Sequence, residues 1–446
     1  MVPTASLVNP SMSIPPANTP PCVAHRSPYN GVDGAPHFAA VRAALEAVAL
    51  RDAAVQAWAF VADASALEAY PVCAGPLTGL PIGVKDVIDV EGMPTRCGSA
   101  TSAAGPVEFD ASCVTLLRSA GAVPIGKTTT TEYAHVTAGP TRNPADLRHT
   151  PGGSSSGSAA AVAAGMVPIA LGTQTGGSMI RPAAYCGVVG FKPTFGVVAR
   201  DGMKVTCESL DVIGWFGANV PDVAAVGRVL LPGRRSPTSR QPHTLRVAFL
   251  AGNPGHVIGP DSNAALTSAR RRLEAQGASV VQVEAFEPAV QMIEAHTVIM
   301  QYEFARSLLP VTRSAGHSLS GRLLEVVHKG LAVPAEVYVW MRSFQDIQRR
   351  RWDDYFGNVD LILTSSVLGA APLGLEYTGD SAFNKGWSLL GWPCLHLPTT
   401  VNAKGLPLGV QLVARPGVDA DLLAWGEVIH PLLDERSTLR AEARAE

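Results

Sequence analysis

Two glycine–serine clusters, GGSSSGS at 152–158 and GTQTGGS at 172–178, are separated by one helix-sized and one strand-sized segment. Glycine reaches φ > 0 and lets the backbone approach a ligand closely, so GTQTGGS can present consecutive N–H groups around Ser178 as an oxyanion hole. A serine nucleophile needs a base, and histidine is the usual one. None of the eleven histidines lies in or beside these clusters, and none makes a compact metal spacing such as H-E-x-x-H. A lysine can take that part if burial and its neighbours keep it neutral. Lys85, in GLPIGVKDVIDV, closes an apolar run, which is where a desolvated amine would sit. The plain alternatives are two ordinary Gly/Ser turns and a surface lysine paired with Asp86.

A second candidate chemistry lies at 121–128, where GAVPIGKT matches G-x-x-x-x-G-K-[ST] and would put Lys127 on phosphates and Thr128 on a metal ion. Its context argues against a nucleotide hydrolase. The helical run CVTLLRSA precedes Gly121, Pro124 removes an N–H from the supposed cradle, and the threonines of TTTTEY are weak helix starters. The better expectation is a helix that ends at Gly121 and feeds a strand.

The elements that must position these residues read as α/β layers. Between about 75 and 200, short apolar runs (LPIGVKDVIDV, GAVPIG, GMVPIALGTQTGG, YCGVVGFKPTFGVVA) alternate with helical segments near 112–120 and 158–164. LRVAFL at 245–250, a helix over 261–276 and SVVQVEA at 279–285 form a β-α-β rhythm. Residues 287–355 read as mostly helical, and DLILTSS (360–366), CLHLP (394–398) and LGVQLVA (408–414) as further strands. Residues 37–69 predict one or two helices, and the aromatic residues of 300–345, including Tyr302, Phe304, Tyr338 and Trp340, are candidates for an apolar acyl pocket. Residues 1–36 are dense in proline and predict an extended arm, and 433–446 a charged tail. Neither a repeat nor a linker divides the middle, so one large α/β domain is expected.

Composition narrows the function. The 446 residues carry Lys+Arg 35 against Asp+Glu 37, a formal charge of -2, which argues against nucleic acid or an anionic membrane as partner. Hydrophobic residues make up 47% and charged ones 16%, enough for a large core. Seven cysteines without a C-x-x-C pair suggest a reducing compartment. The first residues do not read as a secretory signal, and the most apolar stretch, 159–172, is interrupted by Gly165 and Pro168. The expectation is a soluble, cytoplasmic protein.

Taken together, GVKD at 83–86, GGSSSGSAAAVAAG at 152–165 and GTQTGGSMIRPA at 172–183 resemble the amidase signature family of serine hydrolases. GKTTTTEYA at 126–134, GVVGFKPT at 187–194 and GLPLGVQLVARPG at 405–417 add to the likeness, which spans roughly residues 75–430. The resemblance implies one signature domain over 37–432, its core at 75–200, with a mixed central β-sheet flanked by helices on both sides. It implies Ser178 as nucleophile, Ser154 as the bridging serine held through a cis Gly153–Ser154 peptide, and Lys85 as terminal base. The oxyanion hole is implied at the N–H groups of Thr175, Gly176, Gly177 and Ser178, with Gly153 and Ser155 in support and neither metal nor cofactor. Arg181 and Gln174 are candidates for substrate binding. Arg181 follows Ser178 by three residues, as in the branch that hydrolyses small amides bearing a carboxylate, while pairing with a structural carboxylate is the alternative. Gln174 stands where many relatives carry aspartate. The implied function is amide hydrolysis on a small molecule, with carbamates or anilides as the alternative substrates, and a homodimer as the implied assembly. The ammonia-supplying amidotransferase subunit is a further relative, from whose expected pattern Arg181 and Gln174 depart.

Overall fold

The computed structural model describes residues 36–436 apart from 70, 103–104, 136, 234–239, 253–254 and 285–287. The expected arm at 1–36 and tail at 433–446 lie almost wholly outside the described residues. Eleven short runs pair into one mixed sheet: β1 (Trp58–Val61), β2 (Pro81–Lys85), β3 (Val123–Thr128), β4 (Ile169–Gln174), β5 (Val189–Lys192), β6 (Val212–Gly217), β7 (Arg246–Leu250), β8 (Ser279–Val283), β9 (Leu361–Ser365), β10 (Cys394–Val401) and β11 (Pro407–Ala414). Their spatial order is β1-β3-β2-β4-β6-β5-β10-β11-β9-β7-β8. Inner strands such as β2, β3, β4, β6 and β11 are buried along their whole length, whereas β1 and β8 at the two edges are partly exposed. A strand buried on both faces needs a layer on each side. In β4, Ile169 and Leu171 join one apolar cluster, and Ala170 joins another with Phe38, Val41, Val48 and the Ala159–Ala161 run. The sheet therefore separates two cores, as the twofold alternation of strand side chains requires.

Two expectations are corrected. Residues 37–69 form two helices, Pro36–Val55 and Ala64–Ala69, within the one or two expected, but between them residues 58–61 form edge strand β1, antiparallel to β3, which the sequence does not predict. The helix Pro36–Val55 stops at Gln56, whose φ of 55° breaks the winding, and the WAFV run that follows suits a pleated edge. The central strand β6, VIGWFG, is not among the expected strands. Its glycines mask the pattern yet are required there, because a Cβ on Gly214 would lie 2.3 Å from the Phe191 carbonyl oxygen. The GAVPIGKT segment is β3, not a phosphate loop. Lys127 is fully buried there, its Nζ donating to Thr95 Oγ1 at 2.7 Å and the Pro94 carbonyl at 3.1 Å, and lying 3.4 Å from Asp86 Oδ1. Among the described residues no helix is long and apolar enough to cross a membrane.

Candidate active site

β2 lies between β3 and β4 and runs parallel to both, so the carboxyl ends of all three open at one edge of the sheet. Ligands bind at such ends in open α/β sheets. Lys85 is the last residue of β2 and Thr173 sits near the end of β4. Lys85 Nζ donates to Thr173 Oγ1 and to Ser154 Oγ, both at 2.7 Å. The lysine is fully buried, and desolvation brings its pKa down to about 7 against the opposing pull of Asp211. It is therefore an amine poised to take a proton near neutrality.

The turn carrying Ser154 is tied to β4 by its neighbour. Ser155 Oγ donates to the Thr173 carbonyl at 3.0 Å and accepts from Thr173 N–H at 3.1 Å, then the helix Ser156–Ala163 begins. Ser154 and Ser178 line one cavity of about 430 Å³, together with Thr175, Gly176, Gly177 and Arg181.

The loop from Thr175 to Ser178 is gripped by its carbonyls. His296 Nε2 donates to the Thr175 oxygen at 2.9 Å, Ser388 Oγ to that of Gly176 at 2.7 Å, and Arg181 N–H to that of Gly177 at 3.0 Å. In a trans peptide the C=O and the next N–H point in opposite directions. With each carbonyl held, the N–H groups of Gly176, Gly177 and Ser178 point opposite to these contacts, and the loop that carries them lines the cavity. Burial pushes His296 down to about 4, so the ring is neutral and acts as a fixed donor.

Arg181 is 8% exposed; its Nη1 donates to the Gly379 carbonyl at 3.0 Å and its Nε has no partner among the described residues. Burial lowers the Arg181 pKa, with Tyr185, Tyr377 and Asp380 opposing, and among the described residues no ion pair joins it to a carboxylate. Gly153 makes room for it, since a Cβ there would lie 2.5 Å from Arg181 Nη2. Gln174 is engaged with the protein instead of the cavity. Its Oε1 accepts from Met179 and Ile180 N–H at 2.8 and 3.1 Å, capping the short helix Ile180–Cys186, and its Nε2 donates to Ser388 at 2.9 Å.

Several residues that shape the site escape sequence reasoning because they arrive from far along the chain. Asp211, just before β6, takes the Thr175 hydroxyl and the N–H groups of Thr206 and Cys207 at 2.8 and 2.9 Å. His135 lines the cavity behind Tyr133 and Ala134, two non-glycine residues at φ 46° and 57°, and among the described residues both of its ring nitrogens are unpartnered. The region 300–345 contributes Met300, Arg322, Glu325, Val326 and Lys329, a largely polar mouth. The expected aromatic pocket is absent from it: Tyr302 and Tyr338 stack on each other at 4.0 Å, and Trp340 is 62% exposed.

Comparison with known proteins gives the family and the fold. The family model described as Amidase matches residues 39–423. A glutamyl-tRNA(Gln) amidotransferase subunit of Symbiobacterium thermophilum is 35% identical over 407 residues, 79% of this chain and 82% of that protein. A structure solved in work on a vestigial protein complex and the origins of an s-triazine catabolic enzyme aligns with a TM-score of 0.79 at 29% identity, over 89% of this chain and 95% of that one. Native peptide amidase from Stenotrophomonas maltophilia aligns with a TM-score of 0.74 at 27% identity, over 89% and 93% of the two chains. The match runs through both serine-bearing turns and the strand that ends in Lys85, and the chain belongs to the amidase signature family, whose enzymes act on C–N bonds.

Proposed function

We propose that this protein hydrolyses small amides through an acyl-enzyme on Ser178. The observation that carries the reading is the buried Lys85 amine, 2.7 Å from Ser154 Oγ and with its pKa near 7. Neutral Lys85 accepts the Ser154 proton while Ser154 takes that of Ser178, whose oxygen bonds to the substrate carbonyl. The negative charge on the carbonyl oxygen is held by the amides of the Thr175–Ser178 loop. Collapse of the tetrahedral species breaks the C–N bond, the relay returns the proton to the departing nitrogen, and water repeats the sequence on the acyl-enzyme. Neither a metal nor an organic cofactor takes part in these steps.

The preferred substrate carries a carboxylate on its acyl side. Arg181 supports this reading, because a largely buried guanidinium that lines the cavity with Ser178 and has no ion-pair partner among the described residues is suited to receive an anion. The test is turnover of malonamate, a neutral aliphatic amide, an anilide and an aryl carbamate by wild type, Ser178→Ala and Arg181→Ala. We expect Ser178→Ala to fold and lose at least about 10⁴-fold in kcat. Arg181→Ala is expected to lose the preference for malonamate. Turnover by Ser178→Ala would remove the mechanism, and anilide or carbamate turnover indifferent to Arg181 would replace the carboxylate reading with a urethanase or aryl acylamidase.

A second reading follows from the relatives described as glutamyl-tRNA(Gln) amidotransferase subunits. Here the chain supplies ammonia to partner proteins. Free glutamine preferred over malonamate, with activity dependent on co-purified partners, would favour it.

A further inference from the structure

We infer that Asp211 is a positioning residue for this chemistry: its buried carboxylate, by holding the Thr175 hydroxyl, sets the direction in which the Thr175–Ser178 amides face the cavity. The inference rests on the amidase reading above and goes beyond its Lys85, Ser154 and Ser178 relay.

The geometry is that of an anchor. Asp211 is 4% exposed, and its Oδ2 accepts from Thr206 N–H, Thr206 Oγ1 and Cys207 N–H at 2.8, 3.3 and 2.9 Å. The other oxygen, Oδ1, accepts from Thr175 Oγ1. Burial raises the Asp211 carboxyl above its usual range while the hydrogen bonds from Thr175, Cys207 and Thr206 pull it back; every one of these neighbours donates, which favours the ionised form, and a neutral amide in its place would set its own NH₂ against donors. Thr175 is thereby held at two points, its hydroxyl by Asp211 and its carbonyl by His296. With both fixed, the peptide plane that carries the Gly176 N–H has no freedom to rotate. Thr206 and Cys207 also line the cavity, so one carboxylate ties the oxyanion loop to the facing wall.

Asp211 also acts on the base through space. Around Lys85 stand the hydroxyls of Ser154 and Thr173, the Cys97 thiol and Asp211. Burial pushes Cys97 up to about 11, so at neutral pH the thiol carries no charge and Asp211 is the anion that favours protonated Lys85. Around Asp211 itself, Arg200 Nη1 contacts its backbone carbonyl at 3.3 Å, while Glu208 and Glu303 act on the adjoining Cys207, whose thiol stays neutral. Removing the Asp211 charge lets the Lys85 pKa fall further.

These two effects separate experimentally. In Asp211→Asn, kcat for malonamate should fall roughly 10- to 100-fold with KM within about twofold, as for loss of aligned oxyanion donors. In the same variant the acid limb of the pH–rate profile should move to lower pH, which a merely structural lesion would not produce. Thr175→Val removes the hydroxyl and keeps the charge, so it should share the loss of kcat and leave the limb where wild type has it. Wild-type kcat in either variant, or an unmoved limb in Asp211→Asn, overturns the inference. If Asp211→Asn fails to fold, Thr175→Val alone decides it. Activity surviving in Ser178→Ala would instead strike the amidase reading, and so the two failures are distinguishable.

Discussion

Lys85 is shut away from solvent and, among the described residues, has no ion-pair partner, so the folded protein holds it as a free amine at a cost. Its folded pKa near 7 lies below the ordinary lysine value of 10.5, so the unfolded chain binds the extra proton between those values. Stability contributed by this group is complete above about pH 10.5 and is lost as pH falls toward 7, a linked cost of roughly 5 kcal/mol. Lys85→Met leaves the Ser154 and Thr173 hydroxyls without their donor, which offsets about 1–3 kcal/mol of the gain from removing the amine. The variant should therefore be inactive yet melt higher than wild type at pH 7, with the difference shrinking by pH 10; a lower Tm at pH 7 would contradict the buried free amine. In wild type, kcat/KM should rise with pH through a midpoint of about 7. Much of this centre is legible in the sequence, because Lys85, Ser154 and Ser178 each lie inside an unbroken motif. His296, Ser388 and Asp211 are not, since an isolated polar residue in a helix or loop has no pattern that points to a carbonyl or hydroxyl far away along the chain.

Helix Ser156–Ala163 begins where its backbone meets two other segments. Gly157 N–H donates to the Thr129 carbonyl at 3.0 Å, and Thr129 N–H to that of Ala57 at 2.8 Å. A Cβ on Gly157 would lie 2.3 Å from the Ala57 oxygen and 2.4 Å from the Thr129 nitrogen, both backbone atoms that cannot swing aside. Gly157→Ala should consequently cost more than about 3 kcal/mol or abolish soluble expression. Gly386, inside helix Ala382–Leu390, has nothing within 4 Å of its would-be Cβ, so Gly386→Ala should be neutral or stabilise by about 0.5–1 kcal/mol. Chemical denaturation of the two variants checks the contrast. At this scale the sequence texture indicates β2, β4, β7, β9 and β11 through their apolar runs. It misses β1 because helical spacing continues up to Gln56, and β6 because the glycines that let the sheet close around it read as turn residues.

Across the whole molecule, the mixed sheet flanked by helices is expected from alternating texture and from the family likeness, whereas strand order depends on contacts no local pattern encodes. The same contacts settle the fate of GAVPIGKT. With Lys127 buried in β3 against Asp86, ATP with magnesium should leave the Tm unchanged, and Lys127→Ala should destabilise by about 3–5 kcal/mol by stranding Asp86. A nucleotide-dependent rise in Tm would reopen the phosphate reading. The cavity, finally, is lined from two separate stretches of chain: Ala134 to Cys207, which holds Ser154, the Thr175–Ser178 loop and Arg181, and His296 to Lys385. The reacting groups and Arg181 thus lie in the first stretch, and most of the mouth in the second. Exchanging the second stretch between relatives, with His296 kept as a clamp, would reshape the mouth around Arg181 while the bond-breaking apparatus stays in place, a modular route by which one chemistry can be fitted to differently shaped amides.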